Sequence, residues 1–208
     1  MLLEPAFGGI NVEVIAASNC FIIEQAQNEK MNIPGFHDDQ HGTAIITAAG
    51  LINACYLTGR DLATVKVVVN GAGAAAIACT SLIKSMGVRH ENVIMCDRKG
   101  VIYQGRTEGM DQWKSAHAVP TETRDLTEAL VGADVFLGLS AAGAPPPEMV
   151  KDTAPPPTIF AMAKPAPENS PPDPPPSRPA PSTPTHPQAF PLPRPQSLRT
   201  LSHFPVSP

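Results

Sequence analysis

The sequence lacks the cysteine pairs and the basic excess that mark several large classes of protein. Its four cysteines, Cys20, Cys55, Cys79 and Cys96, lie far apart and form no CxxC pair, so neither a zinc site nor a disulfide framework is predicted. We expect them to be reduced thiols. The formal net charge of -4 provides no basic excess, and nucleic acid is therefore not predicted as a partner.

Export and membrane signals are also missing from the sequence. Residues 1–5 have neither the basic start nor the apolar run of a signal peptide, and we expect a cytoplasmic protein. Residues 42–59 carry no formal charge and approach the length of a membrane span, but threonines, an asparagine and glycines dilute this run. We predict a buried helix over 43–57, capped by the Asp38-Asp39 region, and no membrane partner.

Proline, in contrast, is abundant and concentrated near one end. Only Pro5, Pro34 and Pro120 of the 25 prolines precede Pro145. Because proline fixes φ and lacks an N–H donor, a run such as 170–176 forms neither a helix nor an inner strand. Residues 165–208 are predicted to be a disordered tail of polyproline II character. Its PxxP spacings would suit an aromatic groove, but a solvated tail without a partner explains them equally well.

Strand and helix patterns alternate through the middle of the chain. The β-branched run 65–70 ends at a glycine turn and predicts a buried parallel strand followed by a helix over 74–86. We predict further strands at 92–96, 135–139 and 158–163, further helices at 21–30, 126–131 and 148–151, and a loop at 7–11. This alternation predicts an α/β fold, with a Rossmann-type, doubly wound parallel sheet and helices on both faces.

The turn after the 65–70 strand has the residue spacing of a dinucleotide cradle. Gly71 allows a tight turn, Gly73 lets the backbone approach a pyrophosphate, and Ala76 lets the helix pack closely on the strand. The pyrophosphate would lie at the helix N-terminus, where N–H groups and the helix dipole favour negative charge. The predicted cofactor-binding residues of this turn are Asn70, Gly71, Ala72, Gly73, Ala74, Ala75 and Ala76.

An acid follows the next predicted strand. Asp97 lies 21 residues after Ala76, at the usual place for a carboxylate that binds the ribose 2′-OH of NAD. Arg98 and Lys99 come directly after it and could instead meet the 2′-phosphate of NADP. A solvated turn is the third alternative. The pattern leaves the choice between NAD and NADP open.

Two adjacent carboxylates, Asp38 and Asp39, precede the long helix. One of them is sufficient for helix capping. The pair, with Glu13 as an additional ligand, is also typical of a site for Mg²⁺ or Mn²⁺, which prefer oxygen ligands. His37 and His41 would suit a softer metal, but histidines in such a loop are more often surface or capping residues. Both interpretations of this segment stay open.

Several segments of the chain resemble the bacterial malic enzymes. They are FGGIN at 7–11, FHDDQHGTA at 36–44, VVNGAGAA at 68–75, GVIYQGR at 100–106 and GADVFLGLS at 132–140. The resemblance covers residues 3–163 in consistent order, and the FHDDQHGTA segment argues against other Rossmann dehydrogenases. It implies a homodimeric enzyme that oxidises L-malate with NAD or NADP and decarboxylates the product to pyruvate and CO₂ with a divalent cation.

The resemblance also implies a domain organisation and site residues. It divides the chain into a remnant of the metal- and substrate-binding region over 1–42, an NAD(P)-binding domain over 43–164 and the tail. Metal ligands fall on Glu13 and Asp39, whereas Val14 stands where the family has an aspartate ligand. Asp38 matches an acid of the catalytic network. NADP is slightly favoured, with cations at Arg98, Lys99 and Lys114.

Other parts of the family pattern have no match in this sequence. They include a catalytic tyrosine and a lysine general base, and Lys164 replaces an asparagine that contacts substrate. We therefore expect the chain not to turn over malate, because general acid–base steps typically contribute about 10²- to 10⁴-fold each. A non-catalytic nucleotide-binding remnant, or an interaction module with a proline-rich tail, is the alternative. We interpret the abrupt change of composition after Glu168 as a frameshift or a mis-joined gene model.

Overall fold

The described part of the chain, residues 7–140 and 152–163 of a computed structural model, contains two separate β-sheets. One has two strands and the other has five. The predicted helix at 148–151 and the predicted tail over 165–208 lie outside the described residues.

The two-stranded sheet is a small β-α-β unit. Its elements are β1 (Ile10–Val12), α1 (Asn19–Lys30) and β2 (Gly35–His37). β1 and β2 are parallel, with Ile10 opposite Gly35, so α1 forms the crossover between them. The predicted loop at 7–11 is therefore wrong at its end, because Ile10 and Asn11 pair with a strand 25 residues away in sequence.

A short π-helical turn connects β2 to the long helix. We call Asp38–Gly42 the acidic turn, and it continues directly into α2 (Thr43–Thr58). Asp38 and Asp39 lie in the first turn of this helical segment, where negative charge is favourable, and not at the N-cap of α2 itself. Gly42 occupies the N-cap with helical dihedral angles, and the Thr43 N–H donates to the Gln40 carbonyl, so the chain is already helical where α2 begins.

Helix α2 is buried along one face only. Leu51, Ala54 and Cys55 belong to the core, whereas Ile45 is 56%, Ile52 53% and Tyr56 74% exposed. The predicted buried helix is therefore half right. Within the described residues, no helix has both the length and the apolar character needed to cross a membrane.

The five-stranded sheet has the strand order β5-β4-β3-β6-β7. Its strands and their helices are β3 (Val67–Asn70), α3 (Ala74–Ser85), β4 (Val93–Asp97), β5 (Gly100–Val101), α4 (Gln112–Ser115), α5 (Leu126–Leu130), β6 (Val135–Gly138) and β7 (Thr158–Ala161). All neighbours are parallel except β5, which is antiparallel to β4. The four predicted strands are confirmed, with ends that shift by two residues at most.

Helices cover both faces of this sheet. In β3, Val67 and Val69 belong to the core cluster that includes α2 and α3, whereas Val68 belongs to the cluster that includes α5. Successive side chains of a strand point to opposite faces, so a strand buried on both sides is apolar throughout. The predicted Rossmann-type, doubly wound fold is confirmed.

Candidate functional site

The chain leaves the central strand β3 through a turn that only glycine fits. The Gly71 N–H donates to the Cys96 carbonyl at 2.8 Å, and Gly71 has a φ of 135°. A Cβ at this position would lie 2.7 Å from the carbonyl oxygen of Leu139. This close passage lies at the carboxyl ends of β3 and β6, where the strand order reverses and where open α/β sheets bind their ligands.

Asn70 helps to shape the crevice at the carboxyl ends of β3 and β6. Its Nδ2 donates to Ser140 Oγ at 3.0 Å, and its carbonyl accepts from the Leu139 N–H at 2.8 Å. These bonds join the residues that follow β3 to those that follow β6. The predicted residue Asn70 therefore shapes the crevice.

The start of helix α3 faces open space. A Cβ built on Gly73 meets no atom within 4 Å, and Gly73 has no side chain to cap the helix. The first intrahelical hydrogen bond runs from the Ile77 N–H to the Gly73 carbonyl at 3.0 Å, so the N–H groups of residues 74–76 precede the helical ladder. An open helix N-terminus of this kind fits a pyrophosphate.

The remaining small residues of this turn serve packing. Ala76 is 1% exposed within the core cluster that contains β3, and Ala72 packs against the same cluster half-buried. A larger side chain at Ala76 would push α3 away from the sheet. The turn 71–76, which we call the glycine turn, thus provides a tight bend, an open helix end and close helix packing, and its residues fit a dinucleotide.

Asp97 is already engaged by cations. Arg106 Nη2 donates to its Oδ1 and Oδ2 at 2.7 and 2.9 Å, Lys114 Nζ donates to Oδ2 at 3.0 Å, and the Lys99 N–H donates to Oδ1 at 2.9 Å. Burial acts to raise the pKa of Asp97, but the hydrogen bonds from Arg106 and Lys114 outweigh it and the pKa is lowered. These four bonds use the acceptor positions of a carboxylate. A ribose hydroxyl would have to displace one of them.

The three predicted phosphate cations have different surroundings. Lys114 lies against Asp97 and also donates to the Gly109 carbonyl at 2.9 Å. Lys99 is ion-paired with Glu108 at the surface. Arg98 is exposed and makes no hydrogen bond or ion pair with any described residue. The Lys114 side chain therefore contacts Asp97, whereas the Lys99 side chain pairs with Glu108 instead.

Arg106 belongs to this cluster, and the sequence analysis did not identify it as a site residue. Its side chain is 5% exposed, and beyond Asp97 it donates to the carbonyls of Gly100, Val101 and Glu108. The arginine thus holds the loop after β4 in shape around Asp97. Its presence in the matched segment 100–106 was the only signal, because nothing in the spacing reveals which loop arginine folds back.

The acidic turn places its carboxylates next to the small sheet. Glu13 and Asp38 line an open groove of about 540 Å³, together with Asn11, Pro34 and Phe36. Asp39 Oδ2 accepts from the Val14 N–H at 3.0 Å, and Glu13 Oε1 accepts from Asn11 Nδ2 at 2.8 Å. A Cβ at Gly42 would overlap Asp38 Oδ1, so this glycine leaves room for the carboxylate. Glu13 and Asp38 therefore share this groove, whereas Asp39 contacts the Val14 N–H and is not among the groove's lining residues.

These acids do not make up a divalent-cation site by themselves. Within the described residues, no group of three His, Cys, Asp or Glu side chains is arranged to hold a metal. Val14, where the resemblance places an aspartate ligand, is 91% exposed and has a φ of 56°. Mg²⁺ is commonly held by one or two carboxylates, with waters or substrate in the other positions. Glu13 and Asp39 therefore provide at most part of a site, and no third ligating side chain is arranged beside them among the described residues.

Glu24 of α1 holds two side chains of the acidic turn in place. His41 Nε2 is ion-paired with Glu24 Oε1, and Gln40 Nε2 donates to Glu24 Oε2 at 3.1 Å. His37 is fully buried, and its two ring nitrogens have no hydrogen-bond partner among the described residues. The interpretation of His37 as a surface or capping residue is therefore wrong, because β2 directs its side chain inward. Glu24 lies on α1, and no motif marked it.

The four cysteines are free and buried, and their reduced state stays a prediction. Burial raises the pKa of Cys79 to about 11 and that of Cys96 to about 12. None of the four contributes a thiolate to either site at neutral pH.

Comparison with known proteins assigns the fold and the glycine turn to a family. Residues 40–170 match the family described as malic enzyme, NAD binding domain. The chain is 66% identical to the NADP-dependent malic enzyme and 52% identical to the NAD-dependent malic enzyme of Rhizobium meliloti (strain 1021), over 81% and 80% of its length. A crystal structure of an NAD-dependent malic enzyme from Thermotoga maritima is 44% identical, with a TM-score of 0.75, over 80% of this chain and 45% of that one.

These matches cover most of this chain but only part of its relatives. The chain spans 22% of the length of each Rhizobium enzyme. The matched residues contain the glycine turn, the Asp97 cluster and the sheet that carries them, which agrees with the dinucleotide site built above. The chain belongs to the malic enzyme family.

Proposed function

We propose that this chain binds NADP or NAD at the glycine turn and provides the dinucleotide part of an oxidative decarboxylation of L-malate to pyruvate and CO₂. The observation that carries the proposal is the open end of α3 beside Gly73, which lies at the reversal of strand order. A nicotinamide cofactor bound there would accept a hydride from the substrate. The chain's own residues bind and orient it through backbone N–H groups.

The Asp97 cluster supports NADP as the preferred cofactor. Arg106 and Lys114 both contact Asp97, and Arg98 and Lys99 follow it, so cations outnumber acids where the adenosine ribose would lie. Asp97 then positions Lys114 instead of binding the ribose. Relatives of both specificities match this chain, and the comparisons leave the preference undecided.

For the groove beside the acidic turn we propose a role in substrate binding. Asp38 would face malate there, and Glu13 and Asp39 would contribute two of the ligands of a Mg²⁺ or Mn²⁺ ion. The remaining positions of that ion would be filled by water or by malate. The homodimer that the resemblance implies stays a prediction.

The central experiment is a calorimetric titration of the purified chain with NADP⁺ and NAD⁺. Gly73→Ala should leave the fold intact, since its Cβ meets no atom within 4 Å, but should obstruct the pyrophosphate and weaken binding at least ~10-fold, equivalent to about 1.4 kcal/mol. Gly8→Ala is the matched control, because its Cβ also meets nothing and it lies outside the cradle. No binding by the wild-type chain, or equal binding by Gly73→Ala, would overturn the proposal.

A non-catalytic nucleotide-binding protein is the second candidate function. The incomplete donor set at Glu13 and Asp39, with Val14 beside them, is the observation that favours it. Incubation of the chain with L-malate, Mn²⁺ and either cofactor tests this second candidate through the absorbance of the reduced nicotinamide. We expect binding without turnover, and formation of reduced cofactor above the blank would reject this second candidate.

A further inference from the structure

Lys84, in the last turn of α3, is surrounded by imidazoles instead of carboxylates. Its Nζ lies 3.1 Å from His90 Nδ1 and 3.3 Å from His117 Nδ1. Within the described residues it forms no ion pair. An ammonium group with two imidazole neighbours and no acid has no opposite charge beside it to favour its charged form.

The hydrogen bonds around Lys84 constrain the tautomers of neutral imidazoles. His90 Nε2 lies 3.1 Å from the Ala118 carbonyl oxygen, which only accepts, so a neutral His90 carries its hydrogen on Nε2 and presents the Nδ1 lone pair. An ammonium at Lys84 only donates, so His117 Nδ1, 3.3 Å away, accepts from it and the Nε2–H donates to Ser81 Oγ at 3.3 Å. Both imidazoles therefore accept from Lys84. Ser81 receives a hydrogen bond from His117 and gains no base to activate its hydroxyl.

This arrangement leaves the lone pair of a neutral Lys84 amine pointing away from the two imidazoles. A primary amine has two N–H bonds and one lone pair, and the two imidazole lone pairs accept both N–H bonds. The amine lone pair is then left for an electrophile. Burial lowers the pKa of Lys84 to about 8 and that of His117 to about 4, so a substantial neutral fraction of Lys84 exists beside a neutral His117. His90 is exposed and Lys84 is half-buried, so the amine is not sealed in the core.

We propose that Lys84 is a site of covalent acylation by activated acyl groups of the acyl phosphate class. The amine lone pair attacks the acyl carbon, a C–N bond forms, the C–O bond to phosphate breaks, and phosphate leaves with the bonding electrons. The surplus proton of the amine passes to His90 Nδ1 and from there to water. The product is a neutral amide with one N–H, so one of the two imidazoles loses its donor.

The position of Lys84 connects this modification to the rest of the molecule. Helix α3 begins at the glycine turn and ends at Ser85, and Lys84 in its last turn ties it to residues 90 and 117. Acylation would loosen the attachment of the C-terminal end of α3. The proposal does not depend on nucleotide binding and stands or falls independently of the proposed function.

The test is reaction of the full chain with acetyl phosphate near pH 7.5, followed by mass spectrometry of each lysine. Lys30 and Lys66 are exposed internal controls. Lowering the pKa of Lys84 from 10.5 to about 8 raises its neutral fraction at this pH ~200-fold. A less basic amine is also a weaker nucleophile, by roughly one order of magnitude. We therefore expect Lys84 to react ~10-fold faster than either control. The rate should rise with pH to a midpoint near 8. Labelling of Lys84 no faster than Lys66, or an ester on Ser81 instead, would overturn the proposal.

A histidine variant tests the part of the imidazoles. His90→Phe removes one acceptor at an exposed position and should lower the Lys84 rate several-fold while Lys30 and Lys66 react as before. Thermal unfolding of His90→Phe verifies that the fold is retained. An unchanged Lys84 rate in this variant would show that the imidazoles do not prepare the amine, and would reject the mechanism.

Discussion

The glycine turn and the acidic turn both follow a parallel strand, yet they are built from different material. The glycine turn uses backbone N–H groups at the end of β3 and the absence of two side chains, at Gly71 and Gly73. The acidic turn uses carboxylates at the end of β2, and its partner segment has valine at position 14. Within the described residues, a Cβ at Gly73 would meet open space, whereas no group of three ligating side chains is found at the acidic turn.

The difference shows how each kind of site is lost. A site made of backbone groups survives most substitutions, because it requires only that two positions stay free of a Cβ. A site made of side chains depends on the identity of every ligand, and one exchange leaves the remaining carboxylates in place but incomplete. The predictions below test this contrast, in order of decreasing effect.

Gly71→Ala should have the largest effect on the free energy of unfolding and should disrupt the glycine turn. A Cβ would lie 2.7 Å from the Leu139 carbonyl oxygen, at a φ of 135° that alanine rarely adopts. Relief requires movement of β3 against β6, and we expect a loss of about 3 kcal/mol in the free energy of unfolding. Urea denaturation followed by circular dichroism measures it.

Gly73→Ala is the comparison for that measurement. Its Cβ meets open space, so its free energy of unfolding should stay within about 0.5 kcal/mol of the wild-type value. Equal destabilisation by both substitutions would contradict the assignment of Gly71 to chain geometry and Gly73 to ligand approach.

Asp97→Asn should have the second largest effect on stability. The substitution leaves Arg106 and Lys114 without their carboxylate, and we expect a loss of about 2 kcal/mol at pH 7. Burial acts to raise the pKa of Asp97, but the hydrogen bonds from Arg106 and Lys114 lower it overall, so its contribution is present above the unfolded pKa of about 3.9 and disappears as pH falls through the folded value. Stability curves of the two proteins should converge below about pH 4. Parallel curves would show that the cluster contributes nothing.

Lys114→Gln tests whether the Asp97 cluster makes the chain prefer NADP⁺ over NAD⁺. If Asp97 holds Lys114 towards a 2′-phosphate, its loss should weaken NADP⁺ binding ~10-fold and leave NAD⁺ binding nearly unchanged, a difference of about 1.4 kcal/mol. Titration of both cofactors gives the ratio, and Lys66→Gln, at an exposed lysine in the loop before β3, is the matched control. Parallel weakening of both cofactors would assign Lys114 a structural role.

Val14→Asp should change stability less than Gly71→Ala or Asp97→Asn, and it should add a third carboxylate beside the acidic turn. Valine at a φ of 56° is strained, and aspartate accepts this conformation more readily, so we expect a gain of about 1 kcal/mol. The new carboxylate beside Glu13 and Asp39 should also make the melting temperature rise with Mn²⁺ concentration. Val14→Asn separates the effects, because it relieves the strain without adding a charge. An equal response of both variants to Mn²⁺ would argue against a metal site.

The sequence predicted most of the large sheet because its signals are local. The β-branched run before Gly71 and the small residues after it specify strand, turn and helix without any distant partner. The misses have the opposite origin. β1 forms only because Ile10 pairs with Gly35, and Arg106 and Glu24 matter only because folding brings them to Asp97 and His41. A pattern along the chain does not encode such pairings.

The buried thiols give the molecule an internal reporter of its own opening. Cys79 lies on α3 against Thr47 of α2, and Cys96 lies on β4 beside the loop that holds Arg106. Neither sulfur meets solvent in the closed fold, so an alkylating reagent reacts with each only when its element separates from its neighbours. Alkylation rates at the two positions would therefore time the opening of the helix layer and of the sheet separately, in the native chain and without any introduced label.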